Sequence, residues 1–220
     1  MLLLAFDTAT PAVTVAVHDG SQIVGEASGS GAMAHGELLA PAIRDALTAA
    51  GAHMSDLTDV AVGVGPGPFT GLRVGVVTAL TLGRTLGIAT HGVCSLDIVA
   101  AAIPRSAHAS LGTILPADDF LVATDARRKE VYWARYSAGA RVEGPDVLAP
   151  TDLASRFPDL PVHGPGAGQY PEVLRALSSE TPRAADLAEL IVSGRADELP
   201  LEPLYLRRPD AVPSVAPKQA

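Results

Sequence analysis

The hydrophobic pattern changes period several times along the chain, and each change marks an element. Leu2–Phe6 is a continuous apolar run, the pattern of a central strand covered on both faces. After the turn Asp7–Pro11, Val13, Val15 and Val17 alternate with Thr14, Ala16 and His18, which predicts a half-buried strand. Asp19-Gly20 is a hairpin signal, and Gln22–Ala27 is the returning strand. From His35 the spacing turns helical through Leu38, Leu39, Ala42, Ile43, Ala46, Leu47 and Ala50, with Gly51 as the stop. Val60–Val64 is the next strand, and it runs into the glycine-rich stretch Gly63–Gly75, G-V-G-P-G-P-F-T-G-L-R-V-G. Leu72–Leu86 reads as a helix closed by Gly87, followed by a strand near Ile88–Val93 and a helix from Ser95 to about Ala102. The order β-β-β-α-β-α-β-α predicts a mixed sheet with helices packed on it.

Ile103–Asp119 has no clear period and is the expected junction between an N-terminal lobe, 1–105, and a smaller C-terminal lobe, 106–220. Beyond it, Phe120–Thr124 and Val131–Tyr136 read as strands flanking the turn Asp125–Glu130, D-A-R-R-K-E. Val162-His163 leads into a second glycine turn, Gly164–Gly168, with a short helix expected near Pro171–Leu177. Ala184–Val192 is expected to be a helix, packing back on the first lobe, and 213–220 reads as a disordered tail.

Composition narrows the function classes. The chain has 220 residues, 48% hydrophobic but only 4% aromatic, so the core is expected to be Ala, Val, Leu and Ile. A formal net charge of -8 argues against binding a phosphate backbone unaided, because that binding depends on Lys and Arg. Nucleic acid would reach it through a partner. Cys94 is the only cysteine, which excludes an internal disulfide and fits a reducing cytoplasm. Met1–Phe6 lacks a basic leader and is cut short by Asp7, so no signal, spanning segment or membrane partner is expected.

The glycine stretch fails two specific phosphate-cradle tests. A P-loop needs Lys and Ser or Thr after its last glycine, whereas Gly71 is followed by Leu72-Arg73. Neither Gly63-Gly65 nor Gly65-Gly67 completes a G-x-G-x-x-G fingerprint. What remains is a tight turn at a helix N-terminus, where Gly65, Gly67, Thr70 and Gly71 offer free N–H groups. Anion binding and a purely structural role both stay open. Arg73 could meet an anion, although a surface salt bridge is its more ordinary use.

The following helix is apolar almost all round, and Gly75, Ala79 and Gly83 form a small-residue stripe that would let another helix approach. Burial beneath a second lobe is one way to cover it, and a partner protein is the other. The expected contact residues are Arg73, Val76, Ala79, Leu80 and Gly83, with His35, Leu38, Leu39 and Ala42 on the adjoining helix.

The chain resembles the TsaB family, accessory proteins of threonylcarbamoyladenosine formation in tRNA. The resemblance rests on L-L-A-F-D-T-A-T at Leu3–Thr10, G-V-G-P-G-P-F-T-G-L-R-V-G-V-V-T-A at Gly63–Ala79 and G-V-C-S-L-D at Gly92–Asp97. It continues through D-A-R-R-K-E-V-Y-W-A at Asp125–Ala134 and P-L-Y-L-R at Pro203–Arg207. It implies an actin-like (ASKHA), two-lobe α/β fold, each lobe a mixed sheet packed with helices. It also implies a heterodimer with the catalytic relative TsaD, joined by the ATPase TsaE, with a homodimer when alone. The complex would modify position 37 of tRNAs reading ANN codons, with tRNA met only through the complex. Pro68, Lys129 and His35-Gly36 stand where the family often has Ser, Gly and His-Ser. Lys129 resists the positive φ that glycine allows, so the turn it occupies is expected to change.

The same resemblance bears on catalysis. Ser95 and Val99 occupy the positions at which the catalytic relative carries its two metal-binding histidines, and valine has no ligand atom. No metal site is expected. Asp7, Thr8 and Asp125 sit where actin-like folds place phosphate-binding turns, but D-T-A-T and D-A-R-R lack the wrapping glycines. The expectation is a non-catalytic scaffold with no tightly bound cofactor, and at most weak ATP or ADP binding at the complex interface. The alternatives are an actin-like phosphotransferase or ATPase and, last, a metallopeptidase-like hydrolase.

Overall fold

The computed structural model describes residues 1–30, 35–103 and 119–207. Two sheets organise them. The first has the order β10-β5-β4-β1-β2-β3, built from β1 (Leu3–Asp7), β2 (Val13–His18), β3 (Ile23–Gly29), β4 (Asp59–Gly65), β5 (Ala89–Cys94) and β10 (Glu198–Leu199). The β1–β2 and β2–β3 pairs are antiparallel hairpin neighbours, while β1–β4 and β4–β5 are parallel. This explains why β1 and β4 are apolar without alternation: both lie mid-sheet and are buried on two faces.

One face of this sheet is covered by α1 (His35–Ala50) and α2 (Phe69–Leu86). Leu39, Ile43 and Leu47 of α1 enter the core against Val15 and Val17, each worth roughly 1.5–3 kcal/mol. The other face is covered by α3 (Ser95–Ala101) and α6 (Ala184–Val192), whose Ile98, Leu187 and Ala188 pack on Leu3, Ala5, Ala61 and Val93. The chain's late segment thus completes its first sheet: α6 seals one face, and β10 pairs antiparallel with β5 at the edge.

The second sheet has the order β8-β7-β6-β9, from β6 (Phe120–Asp125), β7 (Val131–Ser137), β8 (Ala140–Leu148) and β9 (Val162–His163). With α4 (Pro150–Arg156) and α5 (Pro165–Gln169) it encloses Trp133, Leu153 and Leu174. Two sequence expectations are corrected here. The glycine segment 164–168 is not only a turn, because Pro165–Gln169 is helical. Pro171–Leu177 is not a helix but turns into a parallel bridge between Ala176 and Val162. The expected lobe boundary at 105–106, most of the junction Ile103–Asp119 and the tail 213–220 lie outside the described residues.

Candidate functional site

The glycine loop joins β4 to α2 and packs directly on the turn after β1. Ser95, the first residue of α3, donates its hydroxyl to Asp7 Oδ2 at 2.6 Å, and Ser95 Oγ accepts the Gly65 N–H at 3.2 Å. The Ala9 N–H donates to Asp7 Oδ1 at 2.8 Å. Burial pushes the Asp7 carboxyl up, and the bonds from Ser95 and Ala9 with the nearby His35 offset part of the rise. A Cβ on Gly63 would stand 1.8 Å from Asp7 Oδ2, so only glycine lets the carboxylate lie across the strand. Gly65 holds a φ of 103°, Gly67 lies against the Ala9 backbone, and Gly71 accepts the Thr8 hydroxyl at 2.9 Å.

Asp7, Thr8, Gly65, Gly67 and Gly71 are therefore brought together, as the anion-site reading required. Their facing surfaces are occupied by each other. Between loop and turn lie the Asp7 carboxylate, the Ser95 hydroxyl and the Ala9 backbone. Thr70 is exposed on the first turn of α2. Sequence reasoning placed Ser95 at the start of a helix and at a lost metal position but not beside Asp7, because its partner 88 residues away left no periodic trace.

The helix α2 corrects a second expectation. Its small-residue stripe faces its own sheet: a Cβ on Gly75 would strike Thr8 Oγ1 at 2.4 Å, and one on Gly83 would strike Thr90 Cγ2 at 2.2 Å. Ala79 is 0% exposed, and Val76, Leu38, Leu39 and Ala42 are likewise in the core beneath the two helices. Those five side chains hold the helices to the sheet, and none presents itself to a partner. His35 Nε2 donates to the Thr10 carbonyl at 2.7 Å, which ties the start of α1 to the turn after β1. Among the described residues, Arg73 forms no salt bridge. Its guanidinium lies 4.1 Å over the Phe69 ring and its Nε donates to Tyr205 Oη at 3.1 Å, while Tyr205 stacks on Phe69 at 4.9 Å. Leu80, Leu82 and Leu86 are half-buried, sharing a cluster with Leu199, Leu201 and Leu204. The outward face of α2 is instead Thr70, Arg73, Val77, Thr81 and Arg84, with Val77 58% exposed. It continues across Val74 to Gly36 and Ala40 of α1.

The β6–β7 turn corrects a third. Lys129 adopts φ 61° despite its side chain, and Arg127 and Arg128 adopt 58° and 52°. Left-handed backbone costs a non-glycine residue roughly 1–2 kcal/mol. The turn is held by Asp125, which accepts the Arg127 N–H at 2.7 Å, and by Arg207, which donates to the Ala126 carbonyl at 2.8 Å and pairs with Glu130. Elsewhere, Asp97 is bound by the Tyr136 hydroxyl at 2.6 Å and by Arg141 at 2.9 Å beside a cavity of about 380 Å³. Among the described residues, no group of three or more His, Cys, Asp or Glu side chains is placed to hold a metal ion. No helix among them is long and apolar enough to cross a membrane.

Residues 29–169, more than half of the chain, match the model of the family described as TsaD, tRNA N6-adenosine threonylcarbamoyltransferase. An uncharacterized protein of Mycobacterium tuberculosis is 44% identical over 215 residues, covering 96% of this chain and 94% of that one. The TsaB of Escherichia coli, a tRNA threonylcarbamoyladenosine biosynthesis protein, is 29% identical over 231 residues, spanning 94% of this chain and 95% of its own. YeaZ from Pseudomonas aeruginosa superposes with a TM-score of 0.69 at 30% identity, over 93% of this chain and 99% of that one. The chain belongs to the TsaB family. The end-to-end match decides between related groups, since the TsaD model accounts for the middle of this TsaB-family chain and the TsaB relative for nearly all of it. A second Pseudomonas aeruginosa structure, described as similar to peptidase YEAZ, gives a TM-score of 0.73 at 29% identity over 94% of this chain and 99% of its own. The fold is actin-like, the α/β class expected from the sequence.

Proposed function

We propose that this TsaB-family chain is a non-catalytic accessory subunit in threonylcarbamoyladenosine formation on tRNA, seated on a TsaD-type catalytic partner. The observation that carries the reading is the filled loop: Asp7, which an actin-like phosphotransferase would spend on its phosphate chemistry, is bound on both oxygens and buried against Gly63. The two positions matching metal-binding histidines are likewise committed, Ser95 to Asp7 and Val99 to the core. In this reading any ATP or ADP binds weakly where the two proteins meet, and TsaE joins the pair from outside. The partner face is the outer surface of α1 and α2 around Ala40, Val74 and Val77.

Size exclusion of the chain with and without TsaD, followed by threonylcarbamoyl transfer to tRNA, tests this. Val77→Glu sits at an exposed position, so it is expected to leave the circular dichroism spectrum intact and abolish co-elution. Glu at Ala79 or Gly83 would not serve, because both face the sheet. ATP turnover by the pure chain that disappears in Asp7→Asn would overturn the reading in favour of an actin-like ATPase. Equal transfer by TsaD with the chain omitted would overturn it as well.

A further inference from the structure

The motif P-L-Y-L-R at Pro203–Arg207 takes no part in the turn around Asp7, and its contacts give it a mechanical use. It ends a strap that starts at β10 and touches several elements in turn. β10 pairs antiparallel with β5, setting Glu198 against Val93 and Leu199 against Gly92. Gly92 is what admits it, since a Cβ there would stand 2.7 Å from the Leu199 carbonyl oxygen. Leu199, Leu201 and Leu204 share a cluster with Leu80, Leu82 and Leu86 of α2. The Leu204 N–H donates to the Val64 carbonyl at 2.8 Å, near the end of β4. Tyr205 stacks on Phe69 and accepts from Arg73 at the start of α2, while Arg207 reaches the Ala126 carbonyl on the β6–β7 turn. Residues 198–207 thus join the edge of the first sheet to a turn of the second.

The first attachment of the strap depends on one imidazole. His91 of β5 lies between two carboxylates, with Nδ1 2.9 Å from Glu198 Oε2 on β10 and Nε2 3.3 Å from Asp59 Oδ1 on β4. A carboxylate oxygen only accepts, so each ring nitrogen has to donate. A neutral imidazole has one N–H, and only the imidazolium satisfies both contacts at once. Asp59 is the anchored side, 18% exposed, with its other oxygen accepting the Thr58 hydroxyl at 2.6 Å. Glu198 is the looser side, 53% exposed on a two-residue strand. Neighbouring charges are turned elsewhere: Asp197 binds Arg141, Asp97 of α3 binds Arg141 and Tyr136, and Arg195 donates to Ser193. α2 meets β5 through Gly83 against Thr90, on the face opposite His91, and Arg84 there is exposed. Cys94, the other titratable group of β5, is a buried thiol pushed up to about 12. Burial lowers the affinity of the His91 ring for its proton, and Glu198 with Asp59 more than offsets it, for a net rise.

We propose that His91 is a protonation latch for this strap: as the imidazolium it clips β10 to the edge of the first sheet, and loss of the proton lets residues 198–207 lift from that edge. In the neutral ring one nitrogen turns a lone pair toward a carboxylate, and Glu198 and Asp59 lose the cation between them. Asp59 is anchored, so Glu198 is the group that leaves. The latch is closed at low pH and loosens as pH rises through the folded value of His91, which lies above 6.5. Because the far end of the strap holds Phe69 and the β6–β7 turn, the same proton tunes how firmly the two sheets are joined. The response is graded, since Glu198 is half-exposed and an exposed pair changes a local equilibrium by roughly two- to fivefold.

The test is amide hydrogen exchange of the full chain, read by NMR between pH 5.5 and 8.5 and corrected for the intrinsic rate at each pH. The Leu204 N–H reports attachment of the strap at Val64, and its protection is expected to fall roughly two- to fivefold across that range. The Phe157 N–H, bonded to the Leu153 carbonyl at the end of α4, is the control and should hold its protection. Nitrogen shifts of the His91 ring should show both nitrogens protonated at pH 5.5 and a titration above 6.5. Glu198→Gln keeps the side-chain length at a half-exposed position, so the circular dichroism spectrum of the parent is expected to persist. In that variant, and in Asp59→Asn, the His91 titration should move down and the pH dependence at Leu204 should be lost. Leu204 protection that does not vary with pH in the parent overturns the latch. A pH dependence that persists unchanged in Glu198→Gln overturns it too, as does a His91 titration that neither substitution moves.

Discussion

Replacing Ser95 by alanine removes one hydroxyl and takes the partner from two buried atoms, Asp7 Oδ2 and the Gly65 N–H, while Asp7 Oδ1 keeps the Ala9 N–H. A hydrogen bond to a charged group is worth about 1.5–3 kcal/mol, and an amide bond at the longer 3.2 Å contact adds about 1 kcal/mol. Protonation of Asp7 recovers part of the first loss, because burial has already raised its carboxyl. The net cost near neutral pH is then about 2–3 kcal/mol. For a chain of this size 1 kcal/mol moves Tm by about 2–4 °C, so a fall of roughly 5–10 °C is expected. The cost must also depend on pH. Ser95 favours the ionised carboxylate, so the gap between parent and variant opens as pH rises above the Asp7 value and closes below it. Urea unfolding followed by circular dichroism at several pH values measures both quantities. A gap below about 0.5 kcal/mol that does not move with pH would refute the reasoning, since it would mean that water, and not Ser95, satisfies Asp7.

Three further outcomes follow from the same kind of reasoning. Cys94 is buried and its thiol is pushed up to about 12 by desolvation and then Asp97, so it should resist a disulfide reagent in native buffer and react fully in denaturant. His91 loses proton affinity by burial but gains more from Glu198 and Asp59, for a net rise above 6.5. Its contribution is fully present below the unfolded value and fades as pH rises through the folded one. The stability advantage of the parent over His91→Gln should therefore shrink between pH 5.5 and 8.5 in denaturant titrations. Lys129→Gly relieves left-handed strain and should raise stability by about 0.5–1 kcal/mol, read as a higher Tm; a fall would show that the Lys side chain braces the turn.

The first sheet and its two large helices were legible because their side chains report burial directly. The runs at Leu3–Phe6 and Val60–Val64 lie mid-sheet, and the α1 spacing matches its buried stripe from Leu38 to Leu47, with Ala50 half-buried at the end. The direction in which α2 faces was not legible. Leu80, Leu82 and Leu86 widened its apolar arc until it looked unpartnered, and what borders them, Leu199, Leu201 and Leu204, comes from more than 100 residues later. The strand β8 left no signal, because it is an edge strand whose R-V-E-G-P-D stretch is half exposed and interrupted by Gly144-Pro145. The helix α5 was hidden by its own glycines, since Gly166 lies close against the Ala123 backbone and packing, not propensity, makes that turn. At the candidate site, the loop and the aspartate could be read from spacing. Their mutual closure could not, because it depends on one hydroxyl delivered by a different helix.

The sealing of the first sheet by α6 and β10 sets an order of events on the ribosome. After Cys94 ends β5, 89 residues separate it from Ala184, where the covering helix begins. At about 5–20 residues per second that interval lasts roughly 4–18 s. Throughout it, Leu3, Ala5, Ala61 and Val93 present a water-exposed hydrophobic face, and β5 an open edge. The nascent chain is thus a natural client for a holding chaperone until α6 emerges. Stop codons placed before residue 184 should yield aggregates rather than a shorter soluble lobe.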